Sequence, residues 1–448
     1  MELVAKGALD EEVIDIENKT PLFNYEHKKK NKYTKGEYIF YPEGRANWGN
    51  TVRFYIERQG DLLYGLYLII KLPKLSVENL DISPKPNPYD PEGQYRVKYS
   101  DYIGNVLIEK VSLYFNGQLI DEHYGDYMQS YIDLYISDWN RKAMLGMDDN
   151  INQPNLKIDS ENIYIPFKFW FCHNNDDPLP LIAMANTEIY IDVKFRNFSE
   201  CITVLEYNST KSNLVHSEIK HIEVPIEEAL LQANFYYLDL DERREMAMRE
   251  YNILITQSQL KNTHFSTSTV LEIDFNHVVK DLIFLIQPSK HKKYGEYFNY
   301  SAKMDYPPPE LNNPDTKFKL YDLEPQRHLL SRARILFNGN ERLQWRDHKY
   351  FHFMQNHENY RNSLESYIYM YSFNINPTKD ISFSGCNFSR LDNAQLQIEI
   401  KPNPFILNET TTPILKYPSD TDYELKCFAT NFNILVIKGG LAGLKYNN

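Results

Sequence analysis

Two stretches about 220 residues apart repeat one short pattern, Val111-Ser-Leu-Tyr-Phe-Asn-Gly117 and Ala333-Arg-Ile-Leu-Phe-Asn-Gly339. Four further pairs keep the same order. Leu66-Tyr-Leu-Ile-Ile70 answers Leu282-Ile-Phe-Leu-Ile286 upstream, and Tyr127-Met-Gln129 answers Phe353-Met-Gln355 just after the shared pattern. Asn186-Thr-Glu-Ile-Tyr-Ile-Asp-Val-Lys194 answers Asn393-Ala-Gln-Leu-Gln-Ile-Glu-Ile-Lys401, and Asn234-Phe-Tyr-Tyr-Leu238 answers Asn431-Phe-Asn-Ile-Leu435. Each match is weak by itself, but five collinear matches with a slowly drifting separation mean one domain used twice. The drift is what insertions in surface loops produce at little thermodynamic cost.

The matched segments have the period of strands. Val52, Phe54 and Ile56 alternate with Arg53, Tyr55 and Glu57; Leu271, Ile273 and Phe275 alternate with Glu272 and Asp274. Ile189, Ile191, Val193 and Phe195 alternate with polar residues, as do Leu396, Ile398 and Ile400. Period two puts the apolar set on one face of an antiparallel sheet. Asn-Gly in both shared patterns accepts the positive φ of a type I′ hairpin. Helix-like stretches follow each hairpin, at residues 124–139 and 347–360, and Pro-rich connections occur at 84–91 and 307–309. The 448 residues thus read as an all-β chain of two tandem eight-stranded jelly-roll barrels with short helices in the loops. The expected division is an arm at 1–35, a first barrel at 36–242 and a second at 243–448. The 35 Tyr and 24 Phe suit the pleated surfaces of such sheets.

A net charge of −12 argues against a coat on nucleic acid, which needs clustered Lys and Arg. The one dense basic run contains Lys28, Lys29, Lys30 and Lys32. No signal-peptide pattern is visible and no apolar run approaches the roughly 20 residues of a membrane span, so synthesis in the cytosol is expected. Cys172, Cys201, Cys386 and Cys427 are scattered without a CxxC pair, which predicts free thiols. Six N-x-S/T sequons, at Asn18, Asn197, Asn208, Asn299, Asn387 and Asn408, are expected to stay unmodified by the secretory route.

With the duplication in place, further motifs resemble the major capsid proteins of nucleocytoplasmic large DNA viruses, the iridovirus- and phycodnavirus-like group. Leu3-Val-Ala-Lys-Gly-Ala-Leu-Asp10 is similar to the family's opening segment and Pro21-Leu-Phe23 to the motif that follows it. Phe169-Trp-Phe-Cys172 with Pro178-Leu-Pro-Leu-Ile-Ala183 resembles its mid-domain signature, and Tyr237-Leu-Asp-Leu-Asp-Glu-Arg-Arg244 the close of the first barrel. Arg346-Asp347, Tyr350-Phe351 and Cys386-Asn-Phe-Ser-Arg-Leu-Asp-Asn393 resemble hallmarks of the second barrel. Ala429-Thr-Asn-Phe-Asn-Ile-Leu435 through Gly439-Gly-Leu-Ala-Gly-Leu444 is similar to the terminal strand and tail. Residues 25–35 are richer in Lys than the family pattern, and the loop at 75–99 matches none.

The resemblance implies a homotrimer whose six barrels form a pseudo-hexagonal capsomer of an icosahedral virion, assembled in the host cytoplasm. The implied partners are neighbouring capsomers, minor capsid and penton proteins, and an internal membrane, without nucleic acid or a small-molecule substrate. Lys28, Lys29, Lys30 and Lys32 are the residues expected to meet a minor capsid protein or membrane.

Enzymatic chemistry has little to build on here. The sequence contains no Gly-rich phosphate loop, HExxH or GxSxG elbow, and no cofactor is expected. His348, His352 and His357 are the best metal candidates, because the first two stand at i, i+4, but a polar helix face is the plainer account. Asp241-Glu-Arg-Arg244 reads as a turn with surface ion pairs. A carbohydrate-binding β-sandwich of a minor shell or fibre protein is the alternative function, and copy number in the virion separates it from a shell brick. A cupin-like enzyme would need His on the apolar strand faces, where none stands.

Overall fold

The computed structural model describes residues 32–81, 94–136, 139–147, 151–173, 177–207, 213–307, 327–375, 377–378, 384–401 and 422–446. Sixteen strands build two sandwiches of identical winding. In the first they are β1 (Tyr33–Phe40), β2 (Thr51–Tyr55), β3 (Leu62–Leu72), β4 (Ile108–Phe115), β5 (Gln118–Tyr124), β6 (Glu161–Pro166), β7 (Ile189–Phe195) and β8 (Glu228–Leu238). The second has β9 (Tyr251–Phe265), β10 (Ser268–Glu272), β11 (Val278–Pro288), β12 (Leu330–Phe337), β13 (Asn340–Asp347), β14 (Tyr369–Ser372), β15 (Ala394–Ile400) and β16 (Tyr423–Lys438).

The sheet orders are β1-β8-β3-β6 and β2-β7-β4-β5, then β9-β16-β11-β14 and β10-β15-β12-β13. Adding eight to each label of the first sandwich generates the second. Two four-stranded antiparallel sheets in this order form a jelly-roll, so the chain is a double jelly-roll. Short extra strands decorate the frame. Tyr95–Tyr99, Ile202–Tyr207 and Leu214–His216 form a small sheet in the first half, and Leu441–Leu444 lies along β16 in the second.

The Asn-Gly hairpins show how local chemistry sets this frame. Asn116 and Gly117 have φ of 47° and 82°, Asn338 and Gly339 of 50° and 80°, the left-handed pair that a type I′ turn needs. Asparagine serves a second purpose there. Asn116 Oδ1 accepts from the Glu188 N–H at 2.7 Å while Asn116 N–H donates to the Glu188 carbonyl at 2.9 Å. Asn338 repeats the exchange with Asn393 at 3.0 and 2.7 Å. Each hairpin is thereby tied to the next strand of its sheet.

The register places Phe115 opposite Ile189 and Leu113 opposite Ile191, and in the second sandwich Phe337 opposite Ala394 and Ile335 opposite Leu396. The counterpart of Ile191 is therefore Leu396, whereas matching the two sequences by eye pairs it with Ile398. The strands correspond, and the slip of two residues keeps every side chain on its face. A second difference concerns the arm. Strand β1 starts at Tyr33, paired with Leu238 on β8, so the last three residues of the expected arm 1–35 belong to the first sandwich.

Candidate functional site

The helix α1 (Gly125–Tyr135) follows the first hairpin and lies between the sandwiches. Its first residue must be glycine. A Cβ on Gly125 would sit 2.2 Å from the Asn105 carbonyl oxygen and 2.4 Å from that of Ile108, so the helix starts directly on this backbone. Tyr127 and Leu134 on α1 join an apolar cluster whose other members come from the second half, including Ile283, Leu285, Tyr300, Met370 and Phe428. On β11, Leu282, Phe284 and Ile286 point into the second sandwich's own core, while Ile283 and Leu285 face α1. That strand is covered on both faces, which is why its sequence is an unbroken apolar run. Each large apolar side chain buried there is worth about 1.5–3 kcal/mol.

A buried ion network runs through the same junction. Asp126 on α1 is 1% exposed. Its Oδ2 accepts from Lys426 Nζ at 2.8 Å and Arg196 at 3.3 Å, and its Oδ1 from the Tyr300 hydroxyl at 3.2 Å. The Arg196 guanidinium stacks 4.0 Å from the centre of the Tyr297 ring. Burial by itself would raise the Asp126 pKa, but Lys426, Arg196 and Lys292 outweigh it and hold the carboxyl at about 2. A second link joins His216, in the first half, to Glu296 in the second at 2.7 Å. The other donors to Glu296 are the Tyr306 and Asp305 N–H groups and Asn299. Asp121 accepts from the Ser258 N–H at 3.0 Å, and Tyr135 donates to Asp281 at 2.8 Å, both across the junction. The turn after β16 closes it from outside, as Asn186 N–H donates to the Gly440 carbonyl at 2.9 Å.

The residues singled out from sequence lie elsewhere. Lys28, Lys29 and Lys30 fall outside the described residues, and Lys32 is exposed at the foot of β1. His352 is buried with Nδ1 2.8 Å from the Ile368 carbonyl oxygen, and His357 is exposed. The neighbour of His348 and His352 is His328, with ring centres 4.7 and 4.6 Å away. His328 and His348 flank the β12–β13 hairpin, whose register pairs Arg332 with Asp347. Among the described residues no group of three His, Cys, Asp or Glu side chains could hold a metal ion. Tyr350–Met354 and Asn356–Tyr360 wind as π-helical turns on either side of Gln355. Asp241 to Arg244 lie in a helix, α2 (Leu240–Met248), instead of the expected turn, because Asp239 caps it by accepting from the Leu240 N–H at 2.8 Å. Its Arg243 bridges to Asp61 at 2.9 Å. All four cysteines are unpaired.

What this arrangement offers chemically is cohesion and surface. The edge strand β1 leaves Tyr33 at 61%, Tyr38 at 41% and Ile39 at 41% exposure, an apolar rim beside unpaired backbone. Two jelly-rolls of one winding, cemented by an apolar cluster and buried ion pairs, define a double jelly-roll building block.

Comparison with known proteins gives that class its family. Residues 21–239 match the family model described as major capsid protein N-terminus, and residues 242–443 the one described as large eukaryotic DNA virus major capsid protein. The major capsid protein of Phaeocystis pouchetii virus is 25% identical over 90% of this chain and 91% of its own length. That of Pyramimonas orientalis virus is 26% identical over 90% and 88%. Among solved structures, the PBCV-1 virus capsid protein superposes with a TM-score of 0.74 at 22% identity, covering 96% of this chain and all of that one. The Faustovirus major capsid protein reaches 0.69 at 11% identity over 97% and 94%. The chain belongs to the major capsid protein family of large eukaryotic DNA viruses, and its role is that of a structural protein of the virion capsid.

Proposed function

We propose that this chain is the repeating brick of an icosahedral shell and works as a homotrimer whose six sandwiches form a pseudo-hexagonal capsomer. The observation that carries the reading is the rigid pairing of two sandwiches with the same winding. Three such pairs around a threefold axis present six similar lobes, which tile a facet through repeated side contacts. The exposed apolar rim of β1 supplies surface for contacts between copies. Neighbouring capsomers and penton proteins complete the facet, and assembly takes place in host cytoplasm. The segment before β1, with Lys28, Lys29, Lys30 and Lys32, docks on minor capsid proteins or on the anionic surface of an internal membrane, where each Lys contributes about 1 kcal/mol.

Light scattering on a sizing column tests the trimer. Three chains of 53.1 kDa give about 159 kDa, and negative-stain images should show six-lobed particles. A clean monomer at micromolar concentration would overturn the proposal.

A further inference from the structure

The face of β9-β16-β11-β14 that α1 covers carries a row of paired apolar side chains, one from each strand: Leu260, Phe428, Ile283 and Met370. The first sandwich holds the counterpart of this row. Taking eight from each strand label leads to β1-β8-β3-β6, where Ile39, Gln232, Tyr67 and Pro166 pair in the same order. Tyr67 answers Ile283 in the internal repeat as well, since Leu66 to Ile70 matches Leu282 to Ile286. One step along the sheet, Ile69 pairs with Tyr164. A sheet face left to water turns polar residues outward. Here only Gln232 of these six is polar, while Ile39 and Tyr164 are exposed and Tyr67, Ile69 and Pro166 half-buried.

The element that would cover such a face also exists twice. The helical turns Tyr350–Met354 and Asn356–Tyr360 follow the second hairpin as α1 follows the first. Phe351 turns into the core of its own sandwich, but Phe353 and Met354 are 54% and 48% exposed. Tyr127 on α1, which answers Phe353 in the repeat, is only 3% exposed, because it packs on Phe428 with ring centres 5.7 Å apart. The chain therefore contains one lobe-to-lobe contact complete and the two halves of a second one unmatched. Since both halves stay exposed, they do not meet within one chain.

We propose that Phe353 and Met354 of one copy pack on the β1-β8-β3-β6 face of the next, around Tyr67 and Tyr164. Resting on the homotrimer proposed above, this repeats between chains the contact that α1 makes inside one. The contact is heterologous, joining two different surfaces, and such contacts form a ring when the rotation closes. Three copies then make six like steps from lobe to lobe, three within chains and three between them.

Two double variants of the full chain test this by light scattering. Phe353→Asp with Met354→Asp spoils the helical face, and Ile39→Asp with Tyr164→Asp spoils the sheet face. Each of these side chains is at least 39% exposed, so the fold should survive, as circular dichroism would verify. Each variant alone should be a monomer of 53.1 kDa where wild type is a trimer. Mixed at high concentration they should form a dimer of about 106 kDa, because one intact helical face meets one intact sheet face and the ring cannot close. Should the aspartates prevent folding, Phe353→Ser with Met354→Ser takes their place and should raise the concentration at which the trimer dissociates about tenfold or more. A monomeric wild type would overturn the trimer and this contact with it. A wild-type trimer that the variants leave intact, or a mixture that stays monomeric, would overturn the pairing of these two faces while the trimer stands.

Discussion

Replacing Asp126 by Asn removes one charge from the junction while keeping its shape. Lys426 and Arg196 are 9% and 7% exposed, so the change leaves two buried cations facing a neutral amide. Breaking a buried pair in this way costs about 3–5 kcal/mol. At about 2.1 cal/mol/K of unfolding entropy per residue, a chain of 448 residues should then melt about 3–5 °C lower at pH 7. The pH dependence supplies an independent check. The Asp126 carboxyl lies at about 2 in the folded chain against 3.8 for an unperturbed one. A depressed carboxylate pKa stabilises the fold above the unfolded value and loses that contribution as pH falls through the folded value. Asp126 thus contributes about 2 kcal/mol above pH 4 that fades between about pH 4 and pH 2. Calorimetry at one fixed scan rate on wild type and Asp126→Asn, between pH 2 and pH 7, reads both effects, and the two curves should converge toward pH 2. A variant within 1 °C of wild type at pH 7, or a gap that persists undiminished at pH 2, would refute the assignment of this energy to the ion network.

Asp133, two turns further along the same helix, should behave oppositely. Burial raises its pKa to about 6, so ionising it above that pH costs stability, and Asp133→Asn should be neutral or stabilising in melts at pH 8. Gly125→Ala should lower stability by about 1–3 kcal/mol or more in chemical denaturation, because its Cβ meets two backbone carbonyls. A thiol reagent should label all four cysteines in denatured, unreduced protein, but not Cys201 or Cys427 in native protein, where burial pushes both thiols up in pKa. Deleting residues 1–31, which spares β1, should leave oligomer mass and melting unchanged while blocking shell assembly in reconstitution; loss of the oligomer would place the arm in the subunit interface.

The winding of both sandwiches was legible because it rests on local signals. Alternation marked the strands, and Asn-Gly marked the two hairpins. Register was less legible. Alternation is unchanged by a shift of two residues, so only the hydrogen bonds between Asn338 and Asn393 reveal that Leu396 and not Ile398 answers Ile191. The start of β1 carries no such signal, because all but two of its eight residues are exposed and no apolar face announces it. The junction was illegible for another reason. Asp126, Arg196 and Lys426 are far apart in the chain, and each alone resembles a solvated charge. One trace of it was present, the run Leu282 to Ile286, since a strand with one face in water would not spend five consecutive apolar residues. His328 beside His348 was not readable from the hairpin either, because two irregularities shift the β12–β13 pairing so that Arg332 already faces Asp347.

The same junction explains why duplication yields a usable brick. Two sandwiches joined by a chain segment alone would swing, as domains with small polar interfaces do. Here the sheet that would otherwise face water, β9-β16-β11-β14, is covered by α1, and two of its buried charges, Lys426 and Asp281, find partners on that helix in Asp126 and Tyr135. The orientation of one lobe against the next is therefore set inside the chain, before any contact between copies forms. In the proposed capsomer each subunit then presents its free edges, β1 among them, in fixed directions. Side contacts repeated over a facet are individually weak, and an angular error within the brick would accumulate from one to the next. Burying an ion pair against a helix stabilises little more than apolar packing would, but it is directional, since Asp126 is satisfied by Lys426, Arg196 and Tyr300 at one relative placement of the two halves.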